Sequence, residues 1–313
     1  MDVYQRLLKI YSSSKRVESI LDWCSRNRAE ILFLESFGPL LKEISDPPEI
    51  LFLRGNRECL NELSLAVVGA RKASHYGLAC SYRFARELAA CGYCIVSGLA
   101  KGVDGASHRG ALSVKGKTVA VMGSGFANLY PGEHRRLAFE ILDKGGAWVS
   151  EYAPFEPPLA FHFPKRNRII SGLSLGTLVI EAGKKSGSLI TALSGLEQGR
   201  EVFVVPGPVD SNFFMGGHEL IQNGAKLVSN IKDILEEFPL EVVTRTISEE
   251  NLQNPFKFGH AFSFADWLLV RGEKAIGELP LLIEQGQVFE IAPQRYVSTK
   301  NEKQEDACQI KFS

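Results

Sequence analysis

A cluster of cations stands out in the stretch FHFPKRNRIISGLSLG, residues 161–176. If a helix begins here, its positive charges oppose the helix dipole, so helix stability alone does not favour them. A bound phosphate removes that conflict, since it accepts hydrogen bonds from backbone N–H groups and from guanidinium groups together. Aromatic side chains beside phosphate-binding cations are typical of sites that hold unpaired nucleic-acid strands. The candidate binding residues of this stretch are Phe161, Phe163, Lys165, Arg166, Asn167 and Arg168.

Three glycine-containing turns, each after an apolar run, also predict anion binding. They lie in VVGARKASHYG, SGLAKGVDGASHRGAL and KKSGSLITA. A strand-to-helix turn presents free N–H groups and a positive helix end to an anion. In the alternative, structural interpretation, Asp104 is an N-cap and His108 is a polar residue whose hydrogen bonds are made within the fold. The candidate binding residues at the three turns are Arg71, Ser74, Ser97, Gly98, Lys101, Gly187 and Ser188.

Three other motifs lack the context that their chemistry requires. GLSLG has the spacing of a hydrolase nucleophile elbow, but a helix precedes Ser174 where a strand is needed. CGYC lies between a helix and a strand, so we predict that Cys91 and Cys94 are two buried thiols and not a redox or zinc motif. GSGFAN lacks the third glycine of a dinucleotide fingerprint. We therefore predict no catalytic residue, no cofactor and no metal ion.

The elements that must position these residues alternate between strands and helices. The strand candidates are nearly continuous apolar runs, as expected of strands buried on both faces, and the segments between them have helical periodicity. This alternation predicts an α/β fold with a Rossmann-like parallel sheet flanked by helices. The predicted strands are LAVVGA (65–70), YCIVSG (93–98), TVAVMG (118–123), AWVSEY (147–152), TLVIEA (177–182), EVFVVPG (201–207) and AKLV (225–228).

Composition shifts divide the chain into five predicted parts. Residues 1–50 form a short helical N-terminal region, joined through the Pro-marked stretch ISDPPEILFLRGN to the Rossmann-like domain at 51–238. A linker (239–262) leads to a small, degenerate winged-helix-like unit (263–298) that ends in the hairpin GQVFEIAPQRYVS. The polar tail, 299–313, is predicted to be disordered.

Overall composition limits the possible functions. The 313 residues carry 36 Lys+Arg and 36 Asp+Glu, so an anion-binding surface must be a local feature. No apolar run reaches the ~20 residues that a membrane helix needs, and no signal peptide is recognisable. The six cysteines do not suggest a secreted disulfide framework. We therefore predict a cytoplasmic protein without a membrane partner.

Seven blocks of the sequence together resemble the DNA-processing protein A (DprA/Smf) family, over about residues 47–238. They are VVGARKASHYG, VSGLAKGVDGASHRGAL, AVMGSGFANLYP, SEYAPFEPPLAFHFPKRNRIISGLS, EAGKKSGSLITA, GREVFVVPGPV and GGHELIQNGAKLV. The resemblance implies an extended Rossmann-like domain that binds single-stranded DNA and helps to load RecA during natural transformation. It also implies a homodimer and no enzymatic activity.

The resemblance also suggests which residues bind DNA. Arg71 matches the family's arginine after the first strand, and Ser97 and Gly98 match its second glycine turn. Arg166, Asn167 and Arg168 match the RNR core, and Gly187 and Ser188 match the SGS turn. One departure is Gly132, where some members have lysine after the Tyr-Pro pair. Arg135 and Arg136 are the expected substitutes.

An alternative function is a nucleotide-processing enzyme similar to the nucleoside-monophosphate phosphoribohydrolases. Such enzymes also surround one phosphate with glycine turns and an arginine, and they need a catalytic glutamate. Glu181, at the end of the fifth predicted strand, is the well-placed candidate. The double-glycine turn of those enzymes is absent near Glu181, which favours DNA binding.

Overall fold

The computed structural model describes residues 2–238 and three later strands, at 261–263, 288–292 and 295–298. Two compact units divide the chain, Met1–Glu237 and Phe238–Ser313. Within the described residues no helix has the length and apolar character needed to cross a bilayer.

A nine-stranded sheet with the order β1-β2-β6-β5-β4-β3-β7-β8-β9 forms the centre of the first unit. The strands β3 to β9 are parallel to one another, whereas β2 pairs antiparallel with both β1 and β6. Their bounds are Ala29–Phe33 (β1), Ile50–Gly55 (β2), Ser64–Gly69 (β3), Cys94–Ser97 (β4), Thr118–Met122 (β5), Ala147–Ser150 (β6), Gly176–Ile180 (β7), Glu201–Val205 (β8) and Lys226–Leu227 (β9).

The predicted Rossmann-like parallel sheet is confirmed, and each of the seven predicted strands is present as β3 to β9. The prediction missed β1, which lies in the region assigned as helical (1–50), and β2, which lies in the stretch assigned as a Pro-marked connection. Both strands extend the sheet beyond β6. The N-terminal region is therefore part of the same sheet and not a separate helical unit.

Helices cover both faces of this sheet, because successive residues of its strands are buried on opposite faces. In β2, Leu51 and Leu53 belong to one apolar core, while Ile50 and Phe52 belong to a second core that includes Trp148. The helices are Val3–Tyr11 (α1), Ser14–Asn27 (α2), Pro39–Lys42 (α3), His75–Ala90 (α4), Val103–Ser113 (α5), Arg135–Asp143 (α6), His162–Gly172 (α7), Gly187–Glu197 (α8), Met215–Gln222 (α9) and Lys232–Leu235 (α10).

The strand order reverses between β3 and β7. From β3 the chain builds β4, β5 and β6 outward on one side, and then returns to place β7 on the other side of β3. Crossover connections on either side of such a point leave a crevice beyond the carboxyl ends of the two central strands. This crevice is where the glycine turns after β3 and β7 meet.

Two motifs to which no chemistry was assigned, GLSLG and CGYC, lie at the junctions of helices and strands. Ser174 lies between α7 and β7 and donates its hydroxyl hydrogen to the Ile170 carbonyl at 2.9 Å, so the nucleophile elbow is absent as predicted. The prediction of two buried thiols in CGYC was half wrong: Cys94 is buried at the start of β4, but Cys91 follows the last residue of α4 and is exposed.

The second unit contains a three-stranded antiparallel sheet in the order β10-β12-β11. The strands are Ala261–Ser263 (β10), Val288–Ala292 (β11) and Arg295–Ser298 (β12). The predicted hairpin is present as β11 and β12, with a register shift between Glu290 and Ala292. The helical part of the predicted winged-helix-like unit, most of the predicted linker and the predicted tail lie outside the described residues.

Candidate nucleic-acid interface

A cleft of about 580 Å³ opens at the switch point, beyond the carboxyl ends of β3 and β7. The first residues after both strands, the loop after β4, and the opening turns of α7 and α8 form its walls. Its polar and charged lining residues are Arg71, Lys72, Asp104, Arg166, Asn167, Lys184, Lys185, Ser186, Ser188 and Thr191. Cations outnumber the one carboxylate, Asp104, so the cleft favours anions.

Two pairs of exposed cations line the cleft. Arg71 and Lys72 follow β3, whereas Lys184 and Lys185 follow β7. Helix α8 begins at Gly187, two residues after Lys185, so its positive end adds to the same field. An extended chain of phosphates could contact both pairs and the helix end, because all three lie along one edge of the sheet.

Arg166 forms the floor of the cleft and is only 3% exposed. Its Nη1 donates to the Gly98 carbonyl at 2.9 Å and also to the Val121 carbonyl, so it binds the ends of β4 and β5. A Cβ at position 98 would lie 2.6 Å from Nη2 of Arg166, which explains why glycine is needed there. Asn167 donates from Nδ2 to the Gly187 carbonyl at 3.2 Å and joins α7 to α8.

The charge of Arg166 is balanced by Asp104, which is also buried. Burial lowers the pKa of Arg166 to about 10, an effect that Asp104 partly offsets, so the guanidinium stays charged at neutral pH. Burial raises the pKa of Asp104 above its ordinary value, against the effect of Arg166 and of the Gly98 and Ala100 N–H groups. Asp104 accepts from those two N–H groups at 3.1 and 3.3 Å, and so shapes the loop after β4 and is not the N-cap.

An aromatic surface lies beside the cations. The Arg71 guanidinium is 5.3 Å from the centroid of the Phe163 ring, and that of Arg166 is 6.0 Å from it. The Tyr130 ring, about half exposed, lies 5.5 Å from Phe163. An unpaired base can stack on such a surface, because every base presents a π face. These residues also line a smaller adjoining cavity of about 50 Å³, together with Gly98 and Lys101.

Lys101 contacts Glu133, the residue that follows Gly132. Its Nζ lies 2.6 Å from Oε1 of Glu133, and both side chains are largely exposed. That contact holds the pKa of Glu133 below its usual value. The expected substitutes, Arg135 and Arg136, are not among the residues that line either cavity. Lys101 is therefore the better candidate for the missing positive charge.

Two predicted cations of the opening cluster make ion pairs away from the cleft. Arg168 is 11% exposed and contacts two carboxylates, Glu151 at 2.7 Å from Nη2 and Asp46 at 2.8 Å from Nε. Lys165 is half exposed and lies 3.5 Å from Glu151. Helix α7 begins at His162, so these residues fall in its first two turns. The structure assigns Arg168 to the scaffold, because its donors are already used.

Three further candidates also lie outside the cleft lining. Ser97 is buried, and its hydroxyl donates to the Val67 carbonyl at 2.7 Å, so it connects β4 to β3. Ser74 caps α4 and donates from Oγ to Oε2 of Glu181 at 2.5 Å. Phe161 is 67% exposed at the N-terminal end of α7 and contacts the edge of the His162 ring. Of these, Phe161 alone presents its side chain to solvent.

Glu181, the candidate for the alternative enzyme, has a structural environment. It is 1% exposed, and its carboxylate accepts from the N–H and the hydroxyl of Ser74. Its own carbonyl accepts from the Ala70 N–H at 2.8 Å. Glu181 therefore fixes the loop after β3 against the end of β7, and its carboxylate is occupied by these two donors.

Three lysines that line the cleft, Lys72, Lys184 and Lys185, were not among the candidate residues selected from the sequence. Lys72 stands next to the selected Arg71 in GARKAS, and Lys184 and Lys185 lie three and two residues before the selected Gly187 in AGKKSGS. The available signal was their position: they follow β3 and β7 directly, where side chains must reach the carboxyl edge of the sheet. Arg71, Phe163, Arg166, Asn167, Gly187 and Ser188 were selected and do line the cleft.

The fold and the cleft define a class: a Rossmann-like protein with a cationic, partly aromatic cleft at the switch point of its sheet. Residues 31–239 match the family of DNA recombination-mediator protein A, and the chain belongs to that family. This confirms the resemblance seen in the seven sequence blocks.

Relatives and solved structures agree with this assignment. The chain is 46% identical to protein Smf of Escherichia coli over 224 residues, 71% of this chain and 60% of Smf, so it spans about three fifths of that relative. It is 44% identical to DNA processing protein DprA of Bacillus subtilis, over 64% of this chain and 67% of the relative.

Two solved structures share the fold. DprA from Streptococcus pneumoniae superposes with a TM-score of 0.65 at 42% identity, over 69% of this chain and 77% of that one. DNA processing protein A from Helicobacter pylori, studied for its single-stranded DNA binding mode, superposes with a TM-score of 0.61 at 26% identity. The match covers 70% of this chain and 98% of that one.

Proposed function

We propose that this protein binds single-stranded DNA along the cleft between the ends of β3 and β7 and acts as a recombination mediator. The observation that carries the proposal is the pairing of four exposed cations with the Phe163 ring at one edge of the sheet. The single-stranded DNA binding mode described for the Helicobacter pylori relative supports it.

In this proposal the phosphates contact Arg71, Lys72, Lys184 and Lys185, together with the N-terminal end of α8. Arg166 contributes through its charge from the floor and holds the loops in place, because its Nη1 donates to two backbone carbonyls. The DNA-binding roles first assigned to Ser97 and Arg168 become roles in shaping this site.

Single strands are preferred because the aromatic surface requires unpaired bases. Phe163 and Tyr130 lie beside the phosphate-binding cations, so a backbone held by Arg71 places a base over the rings. Base–aromatic stacking contributes about 1–3 kcal/mol per base, and a duplex cannot make it without unpairing. Phosphate contacts alone would not distinguish the two forms strongly.

Binding of matched single-stranded and duplex oligonucleotides, measured by fluorescence anisotropy over a salt series, tests the proposal. We expect tighter binding of the single strand and a log–log salt slope that corresponds to roughly 0.7 per phosphate contact. Phe163→Leu removes one of the two rings of the stacking surface but no charge, and should reduce the preference for single strands while leaving the slope unchanged. Equal affinity for both forms would reject the proposal.

Protein partners form a second part of the proposal. We propose a cytoplasmic protein that forms a homodimer and delivers single-stranded DNA to a RecA-type recombinase. An apolar stripe on α8, with Ile190, Leu193 and Leu196 each at least 40% exposed, supports association with protein. Sedimentation velocity tests the homodimer, and recombinase filament assembly on coated DNA tests delivery.

We propose that the protein is not an enzyme. The alternative phosphoribohydrolase needs Glu181 free to act on a substrate, whereas its carboxylate accepts from Ser74 in the interior. Base release from AMP is the discriminating assay. Turnover by the wild-type protein that disappears in Glu181→Gln would establish the enzyme instead.

A further inference from the structure

Two buried cysteines and a glutamate converge at the amino-terminal edge of the sheet, opposite the DNA cleft. Cys59 lies in the 3-10 helix Arg57–Leu60, Glu62 precedes β3, and Cys94 is the first residue of β4. Their two Sγ atoms and a carboxylate oxygen all lie within 4.8 Å of one another. Cys94, which CGYC paired with Cys91 on sequence grounds, therefore has Cys59 as its neighbour.

Main-chain contacts fix the geometry of this group. The Cys94 N–H donates to the Leu63 carbonyl at 2.7 Å, which holds β4 beside the segment that carries Glu62. The Cys59 thiol contacts the Gly145 carbonyl at 3.5 Å. The two thiols are at most 2% exposed, so a bound ion would be enclosed by the protein on that side.

The opposite side of the group opens to solvent through a pair of charged side chains. Lys117 donates to the Glu62 carboxylate, and their side chains are 44% and 26% exposed. This pair provides an entry route from solvent to the thiols, which a metal site requires. The pair also places the Lys117 ammonium next to the Glu62 carboxylate, one of the three possible metal ligands.

We propose that Cys59, Cys94 and Glu62 form a binding site for a zinc ion, with water as the fourth ligand. Two thiolates and one carboxylate suit Zn²⁺, whose tetrahedral ligands lie roughly 3.3–3.8 Å from one another, so a contraction of about 1 Å completes the site. Both thiols release their protons to solvent on binding. The resulting cluster carries one net negative charge, which the Lys117 ammonium neutralises.

This proposal is independent of DNA binding, because the site and the cleft lie at opposite edges of the sheet. It revises the expectation that the chain holds no metal. That expectation considered CGYC alone, whereas Cys59 and Glu62 approach Cys94 from a segment more than thirty residues earlier.

Cobalt titration of the reduced, metal-free full-length protein tests the site directly. We expect one Co²⁺ per chain, with the near-ultraviolet charge-transfer band of thiolate ligation, and displacement of that band by Zn²⁺. Cys59→Ser and Cys94→Ser should abolish the high-affinity band, whereas Cys91→Ser, a matched change in an exposed cysteine outside the group, should retain it. Glu62→Gln should weaken binding by at least about tenfold, since even loss of an outer partner has that effect.

A second measurement covers the case in which a cysteine variant does not fold. Because both thiols are buried, alkylation is measured at a urea concentration that transiently opens the wild-type protein; zinc should slow the alkylation of two thiols there, and peptide mapping should identify them as Cys59 and Cys94. The proposal is overturned if the reduced wild-type protein gives no cobalt band, if Cys59→Ser leaves the band intact, or if zinc protects other cysteines.

Discussion

Replacing Arg71 by alanine should weaken single-stranded DNA binding by an amount that follows from its position. Its guanidinium is exposed on the cleft wall, without an ion pair among the contacts of the described residues, and lies 5.3 Å from the Phe163 ring. One lost phosphate contact lowers the salt slope by about 0.7, which corresponds to roughly fourfold weaker binding near 0.15 M salt and roughly eightfold at 0.05 M.

Arg168→Ala is the control, because it removes the same type of side chain from a position outside the cleft lining. Arg168 already contacts Glu151 and Asp46, and both it and Glu151 are nearly buried. Its loss leaves Glu151 with the more distant Lys165, so we expect about 3 kcal/mol of lost folding stability. The salt slope of the folded fraction should not change.

The assay combines urea unfolding with anisotropy titrations at four or more salt concentrations for wild type and both variants. Arg71→Ala should unfold like the wild type, since an exposed charge contributes little to stability. The reasoning fails if the Arg71→Ala slope equals the wild-type slope. It fails equally if Arg168→Ala flattens the slope while keeping its stability.

Two further predictions concern single contacts. Glu133→Gln frees Lys101 for DNA, so single-strand binding should tighten about two- to fourfold at low salt, and the salt slope should become steeper by up to about 0.7. The control Glu140→Gln disrupts an ion pair on α6 outside the cleft lining and should change neither the affinity nor the salt slope. His108 is buried beside Thr118, and burial lowers its pKa to about 3, so the folded protein binds fewer protons than the unfolded chain below pH 6.5. Stability should therefore fall by about 2 kcal/mol between pH 7 and 5 relative to His108→Asn, measured by urea unfolding; equal pH dependence would disprove this.

The parallel part of the fold could be predicted because its strands are buried on both faces. Runs such as LAVVGA and TVAVMG are continuous apolar stretches, and glycine turns mark their ends. The strands β1 and β2 were harder to recognise, since a short apolar run does not distinguish a strand from a buried helix segment by periodicity. The antiparallel pairing of β2 with β6 joins segments far apart in sequence, about which the local pattern carries no information.

The location of the cleft was also predictable, because parallel strands bring their carboxyl ends to one edge whatever their order. The glycine turns after β3 and β7 therefore had to approach each other if the strands were neighbours, and they are. Which turn residues face the ligand was less accessible to sequence reasoning. Ser74 follows the same turn as Arg71, but its hydroxyl and its N–H both donate to Glu181, a residue more than a hundred positions later.

The RNR core shows most clearly why a charge cluster in the sequence does not identify a binding surface. Residues 166 and 168 point roughly 200° apart around a helix, so Arg166 and Arg168 cannot both face one cleft. Arg166 points to the sheet, where the carbonyls of Gly98 and Val121 accept from it, and Arg168 points to Glu151 and Asp46. Both cations oppose the dipole of α7, and each is offset by a buried or nearly buried carboxylate, so bound phosphate is not needed to explain them. In the proposed function, the DNA contacts of the cleft therefore come from the exposed cations after β3 and β7, and the buried arginine fixes the loops that present them.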